Sequence, residues 1–224
     1  MSNSIWVIMY DLARATESEY LDWFHKVHIP EKLERPGYTW ASHYQVSNKD
    51  SKASDDDTEM SCIALFGGEA TSVFYNPSPA QMAPKQPAET RQMMGCRSNA
   101  KALILSSEWA SDGNGVTGEN LSAIDADAIS VTLCDVGGND MDFGAWLIQE
   151  YLKSIAQNPD CIGVRKLLAS TGGARHALFC ESSTPTAMTE PEVSEWSTRV
   201  ASYVSYPLGK PQTATRLWSA PDKG

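Results

Sequence analysis

Residues 4–12 are almost unbroken apolar sequence with Trp, Val, Ile and Tyr among them, which predicts a central strand. Thr16-Glu-Ser-Glu19 has the spacing of a capping box, and Tyr20, Trp23, Phe24 and Val27 follow at helical spacing, so one helical face is expected to be buried. Pro30 is expected to bend or restart this helix, with residues 31–35 as a short continuation. Pro36-Gly37 then turns the chain into a second strand, residues 38–46. Tyr38, Trp40, Ser42 and Tyr44 lie on one side of it and Thr39, Ala41, His43 and Gln45 on the other. Which side faces inward is left open by the pattern. Residues 48–59 read as an exposed acidic loop, because Asp55-Asp56-Asp57 lacks the Gly and distal Glu of a calcium loop. A third strand over 60–66 ends at Gly67-Gly68, and a helical segment begins near Glu69. The four prolines of 77–87 form an ordered cover or connection, a helix runs to Met94, and a strand spans 100–108.

The plan then repeats. Strands are predicted over 128–136, 162–170, 175–181 and 213–218, with helices over 141–157 and 192–204, where Pro191 stands in the first turn. Trp23 precedes Pro36-Gly37 by the same spacing that separates Trp146 from Pro159-Asp160. Each half reads β-α-β-β-α-β, so the fold class is α+β. It comprises two tandem ferredoxin-like halves packed sheet to sheet as an intramolecular α+β barrel with a cavity between them. Residues 1–110 form the half carrying the site, 111–125 a Ser/Gly/Asn/Asp linker, and 126–224 a mainly structural half. The asymmetry is chemical: His28 falls opposite Tyr151, His25 opposite Ile148 and His43 opposite Lys166. A fused pair of halves predicts a monomer, with a larger assembly left open through outer strands.

Composition narrows the partners. A net charge of −10 without a basic stripe argues against nucleic acid. No apolar run reaches membrane-spanning length, so no membrane partner is expected. The opening residues lack a basic leader and read as strand. The five cysteines, at 62, 96, 134, 161 and 180, show no CxxC spacing, which favours reduced thiols and a cytoplasmic protein. No GxGxxG, P-loop or nucleophile-elbow pattern is present.

His28, Ile29 and Pro30, followed by Pro36, Gly37 and Tyr44, resemble the pattern of the dimeric α+β barrel superfamily, particularly EthD-like proteins and muconolactone-type isomerases. The resemblance covers roughly residues 5–66 in detail and the second half in topology only. Related methyl-muconolactone isomerases add a Cys near the end of the third strand, where this chain has Glu69-Ala70-Thr71, so Cys62 is read as core. The resemblance implies a cofactor-independent enzyme, an isomerase or lyase, acting by proton transfer on a small apolar or aromatic oxygenated compound. The reaction would be an isomerisation, cyclisation or elimination.

In that reading His28 is the general acid or base, and Tyr44 and His43 polarise the substrate oxygen. Trp6, Tyr10, Tyr38 and Trp40 form the substrate cavity. Asp11 either orients an imidazole or caps a loop. His28 has an alternative role as a cap at the end of its own helix. His25 and His28 at i, i+3, with Asp22 a turn away, lack a third ligand fixed by sequence, so no metal and no cofactor is expected. Two alternatives stand beside this: a non-catalytic small-molecule binding or structural protein, and a haem or oxygen-using barrel enzyme with His28, His43 or His176 as axial ligand.

Overall fold

The first apolar run becomes β1 (Ser4–Ala13) in the computed structural model, which describes residues 4–47, 59–114, 126–184 and 193–219. A 3-10 turn leads to α1 (Glu17–Trp23), a π-helical turn over Phe24–His28 and α2 (Ile29–Leu33). β2 (Tyr38–Val46) and β3 (Glu59–Gly68) follow. Next come α3 (Pro79–Met82), α4 (Ala88–Met94) and β4 (Arg97–Asp112). The second half supplies β5 (Ala128–Val136), α5 (Asp140–Trp146), a π-helical turn over Leu147–Tyr151 and α6 (Leu152–Ala156). It continues through β6 (Cys161–Thr171), β7 (His176–Ser182), α7 (Glu195–Ala201), the short β8 (Val204–Ser205) and β9 (Gln212–Ser219). Both halves thus carry the expected βαββαβ order. The acidic run Asp55-Asp56-Asp57, linker residues 115–125 and Pro191 lie outside the described residues.

Two compact units result. One comprises Met1–Ser106, Ser170–Gly172 and Ala214–Gly224, the other Ser107–Ala169 and Gly173–Thr213. The units therefore do not follow a single cut in the chain. Residues of β9 from Ala214 onward belong with the first unit because they pair antiparallel with β2. Within that unit the antiparallel order is β4-β1-β3-β2, the ferredoxin-like arrangement. In the second unit β5 pairs with β7 and β8, and β7 with β6.

Three local readings need correction. Thr16 does not form a capping box: its hydroxyl donates to the Ala13 carbonyl at 3.2 Å, because the 3-10 turn already holds Thr16 in helical conformation. The helix restarts at Pro30 as expected, with α2 opening at Ile29 and the proline in its first turn. A π turn precedes it, and the widened backbone accommodates a residue that lacks an N–H and crowds the preceding turn. The same turn inserts one extra residue, rotating the remainder of the helix by about 100°. Val27, expected inside, is 37% exposed, and His28 takes its place at 6%.

Gly67-Gly68 ends β3, whose last residue is Gly68. Gly67 pairs with Ile5 and Trp40, and a Cβ there would lie 2.1 Å from Trp40 Nε1, so the missing side chain is what admits the indole. Beyond it the chain makes a 3-10 turn at Thr71–Phe74 in place of a helix. The proline-rich stretch is an ordered connection: Ser78 and Gln81 form a reciprocal capping box on α3, and a 3-10 turn covers Ala83–Lys85.

Each unit has its own core. Trp6, Tyr10, Tyr20, Trp23, Phe24, Phe66 and Phe74 dominate the first, and Phe143, Trp146, Leu147, Leu152 and Val164 the second. All five cysteines are unpaired thiols, and Cys62, Cys134, Cys161 and Cys180 are buried. The second unit neutralises its buried charges internally. Arg165 Nε lies 2.8 Å from Glu181 Oε1, and Lys166 bonds Glu108. Asp142 on α5 accepts from Trp196 and Arg199 of α7 and from Tyr203.

Candidate functional site

Strand alternation sets the polar chemistry of the first unit. Tyr10 on β1 stands opposite Cys62 on β3, and His43 on β2 opposite Ala64. These residues share the helix-facing side of the sheet with Trp6, Ile8 and Ala41. Cys62 and Ala64 are small, so the Tyr10 hydroxyl reaches across the intervening strand to His43 Nε2 at 2.8 Å. His43 Nδ1 in turn lies 2.8 Å from His25 Nε2 on the π turn, and the His25 ring stacks on Trp218 at 5.4 Å. At the other end Tyr10 hydrogen-bonds Tyr20, and Arg97 Nε donates to the Tyr20 hydroxyl at 2.5 Å. The Arg97 guanidinium also lies 4.3 Å from the Tyr10 ring centre.

Arg97 only donates, so the Tyr20 hydroxyl accepts from it, while the Tyr10–His43 and His43–His25 contacts run in either direction according to the imidazole tautomers. Burial enforces neutrality along the whole line. It pushes Tyr10 well above the ordinary tyrosine value and Tyr20 up to about 12. Burial, with His25 and Arg97 adding to it, holds His43 well below the ordinary histidine value. His25 is lowered to about 4, again chiefly by burial.

On the other side of Phe24 lies His28, with ring centres 4.7 Å from Trp23 and 5.6 Å from Phe24. Its Nδ1 is buried with no hydrogen-bond partner. Burial lowers its pKa to about 3, and Lys32, Arg97 and Arg35 add to the effect. His28 lines a cavity of about 310 Å³ together with Lys32 and Arg35, while Pro77, Met82, Lys85 and Pro87 line it from the proline-rich segment. Lys32 is 5% exposed, with Nζ 5.4 Å from the Trp6 ring centre. Burial first, then Arg35 and Arg97, bring its pKa down to about 8, against a raising contribution from Glu31. Arg35 Nη1 is buried without a hydrogen-bond partner.

The residues expected to form one site are therefore divided. His28 faces the cavity, while His43 and Tyr10 belong to the buried hydrogen-bond line. Tyr44 is fully buried and lies on the opposite face of β2 from His43, so it is not brought to His28 on the helix side. Trp6 supports Lys32, Tyr38 packs on Phe74 at 5.2 Å, and Trp40 lies against Gly67. Asp11 orients no imidazole: it accepts from Ser61 at 2.5 Å and Asn99 at 2.9 Å. Sequence reading missed Lys32, Arg35 and Arg97. Lys32 and Arg35 do stand at i, i+4 and i, i+7 from His28, the spacing that places residues on one helical face.

Axial ligation of a haem needs an open imidazole nitrogen and room for a macrocycle. Both His43 nitrogens are hydrogen-bonded, and the ring is fully buried. His176 is sealed at 3% exposure in the second unit, against Phe143. His28 is packed on two aromatic rings beside a cavity at the small end of the ligand-pocket range. The described residues do not fit a haem. Asp22, a candidate metal ligand, pairs with Lys26 at 2.9 Å.

No protein-family model matches this chain, and no curated protein sequence matches it. Solved structures do. An anthrone oxidase-like protein superposes with a TM-score of 0.64 at 11% identity, covering 98% of this chain and 95% of that one. A candidate monooxygenase from Fusobacterium nucleatum gives 0.60 at 13% identity, covering 100% and 97%. A chlorite dismutase variant from Candidatus Nitrospira defluvii gives 0.52 at 11%, covering 98% and 92%. These likenesses bear out the ferredoxin-like α+β barrel fold. They do not show the EthD-like family, and they overturn the expected isomerase or lyase acting by proton transfer, since these structures carry the names of an oxidase-like protein, a monooxygenase and a dismutase. Among the described residues no helix is long and apolar enough to cross a membrane.

Proposed function

We propose that this chain is an oxygen-using enzyme, an oxidase or monooxygenase, acting on a small electron-rich organic compound in the cavity beside His28. The names of the similar folds support the reaction class. The likeness of the His28-Ile29-Pro30 and Pro36-Gly37 steps to EthD-like proteins supports placing the site at this end of the helix. The observation that carries the reading is Lys32, an amine buried in a ligand-sized cavity with no salt-bridged carboxylate among the described residues.

Its pKa of about 8 lies in the range where a lysine exchanges protons efficiently near neutral pH. Lys32 takes a proton from a methylene or hydroxyl activated by adjoining rings, and its ammonium stabilises the anion. That electron-rich anion reduces dioxygen. For a methylene, the carbon loses both hydrogens and gains one oxygen atom of dioxygen as a carbonyl. The other oxygen atom leaves with those two hydrogens as water, with the proton returned to it from Lys32. His28, neutral at pH 7, lines the same cavity and adds no charge to it.

The test is oxygen uptake by the purified protein with one- and two-ring phenols and ring-flanked methylene ketones. Uptake is expected with at least one compound class, falling about a hundredfold in K32M. No uptake above buffer, or full activity in K32M, would overturn the reading.

A further inference from the structure

Lys32 and Arg35 make this cavity chemically one-sided. Both are cations, one buried and one half-buried, and the half-buried Arg35 keeps a sealed Nη1 without a partner. Exposed Lys85 adds a third positive charge from the opposite wall. The one carboxylate lining the cavity is Glu31, which is exposed. Pro77, Met82 and Pro87 supply apolar surface for a ring. His28 is neutral and Arg97 acts on the site from behind Phe24, so neither introduces negative charge. Two cations with no buried carboxylate beside them in one cavity wall mark where a ligand's oxyanion would be accommodated.

We infer that the cavity takes its ligand as an oxyanion, the deprotonated hydroxyl of a phenol or enol seated between Lys32 and Arg35 with its ring against Pro77, Met82 and Pro87. This deepens the oxygen-using reading by naming the substrate class, and rests on it only for the fate of the anion. The O–H bond of the ligand breaks heterolytically, its proton goes to Lys32 Nζ, and the electron pair stays on oxygen. The neutral form of Lys32, the minor one at pH 7, accepts that proton and remains as the counter-ion. A carboxylate ligand would arrive already ionised and leave Lys32 nothing to accept.

The probe is 4-nitrophenol, whose anion is coloured, titrated with the full chain and compared with its methyl ether, 4-nitroanisole. The pKa of bound 4-nitrophenol is expected to fall by about one unit or more, a tenfold change in proton affinity, and the ether to bind about tenfold more weakly. K32M should abolish the drop and K32R preserve the bound anion through charge alone. Equal binding of phenol and ether by the wild type, no binding of 4-nitrophenol, or an unchanged drop in K32M would each overturn the inference. The comparison of phenol with ether needs no variant, so a folding defect cannot mask the result. Anion formation without oxygen uptake retires the oxygen-using reading and leaves this one standing. Oxygen uptake with uncharged substrates and no pKa drop does the reverse.

Discussion

The Tyr10 hydroxyl and His43 Nε2 lie 2.8 Å apart although β3 runs between their strands. The contact exists because Cys62 and Ala64, the side chains of β3 on that face, are small. It anchors the line from Arg97 to His25. Truncating Tyr10 to Phe removes the hydroxyl and leaves a buried nitrogen unpaired, so Y10F should lose about 1–3 kcal/mol in chemical denaturation. Nitrogen NMR of the imidazoles should find His43 carrying a single proton at pH 7, and a doubly protonated ring would contradict the neutrality that burial enforces.

Acid should weaken the fold through its neutral histidines. His28 titrates at about 3 when folded and near the ordinary histidine value when unfolded. Below that ordinary value the unfolded chain binds the extra proton. Stability is therefore full above about pH 6.5 and falls towards pH 3 by about 1.4 kcal/mol per pH unit for each such residue. His43 shifts in the same direction. Urea midpoints at pH 7 and 5 should diverge less in His28→Leu than in wild type, and an identical divergence would rule out a neutral His28.

Lys32 carries the opposite diagnostic. Its folded pKa of about 8 lies below the ordinary lysine value, so the protonated side chain strains the fold at pH 7, and the strain is relieved as pH rises through that interval. K32M should be more stable than wild type at pH 7 by about 1–3 kcal/mol, with the gap closing near pH 10. Thermal unfolding across pH 7–10 reads this directly. A destabilised K32M would mean that the ammonium has a structural partner.

Gly67 tests the packing of Trp40. A Cβ 2.1 Å from Trp40 Nε1 forces the indole to move, so Gly67→Ala should cost about 1–3 kcal/mol and shift tryptophan fluorescence. A G67A protein with wild-type stability would show that the indole is loosely held.

Much of the fold was legible in particular residues. The Trp23-to-Pro36 and Trp146-to-Pro159 spacings announced two copies of one plan, and β5 begins and ends where its apolar pattern does. The site was legible only in part. His28 reaches a cavity, but by way of a π turn that no spacing rule anticipates, since a uniform helical period places Val27 inside. Tyr44 was paired with His28 on resemblance, and strand alternation carries it to the opposite face.

The order and kind of the elements were written in the chain itself, because apolar periodicity, prolines and glycines act over a few residues. Only packing in three dimensions settled which polar groups meet: His25 with His43, His43 with Tyr10, and Lys32 with Arg35 and His28 around one cavity. Those meetings depend on small side chains on an intervening strand, on one extra residue in a helical turn, and on burial that shifts each group's pKa. None of these is a local property of the chain.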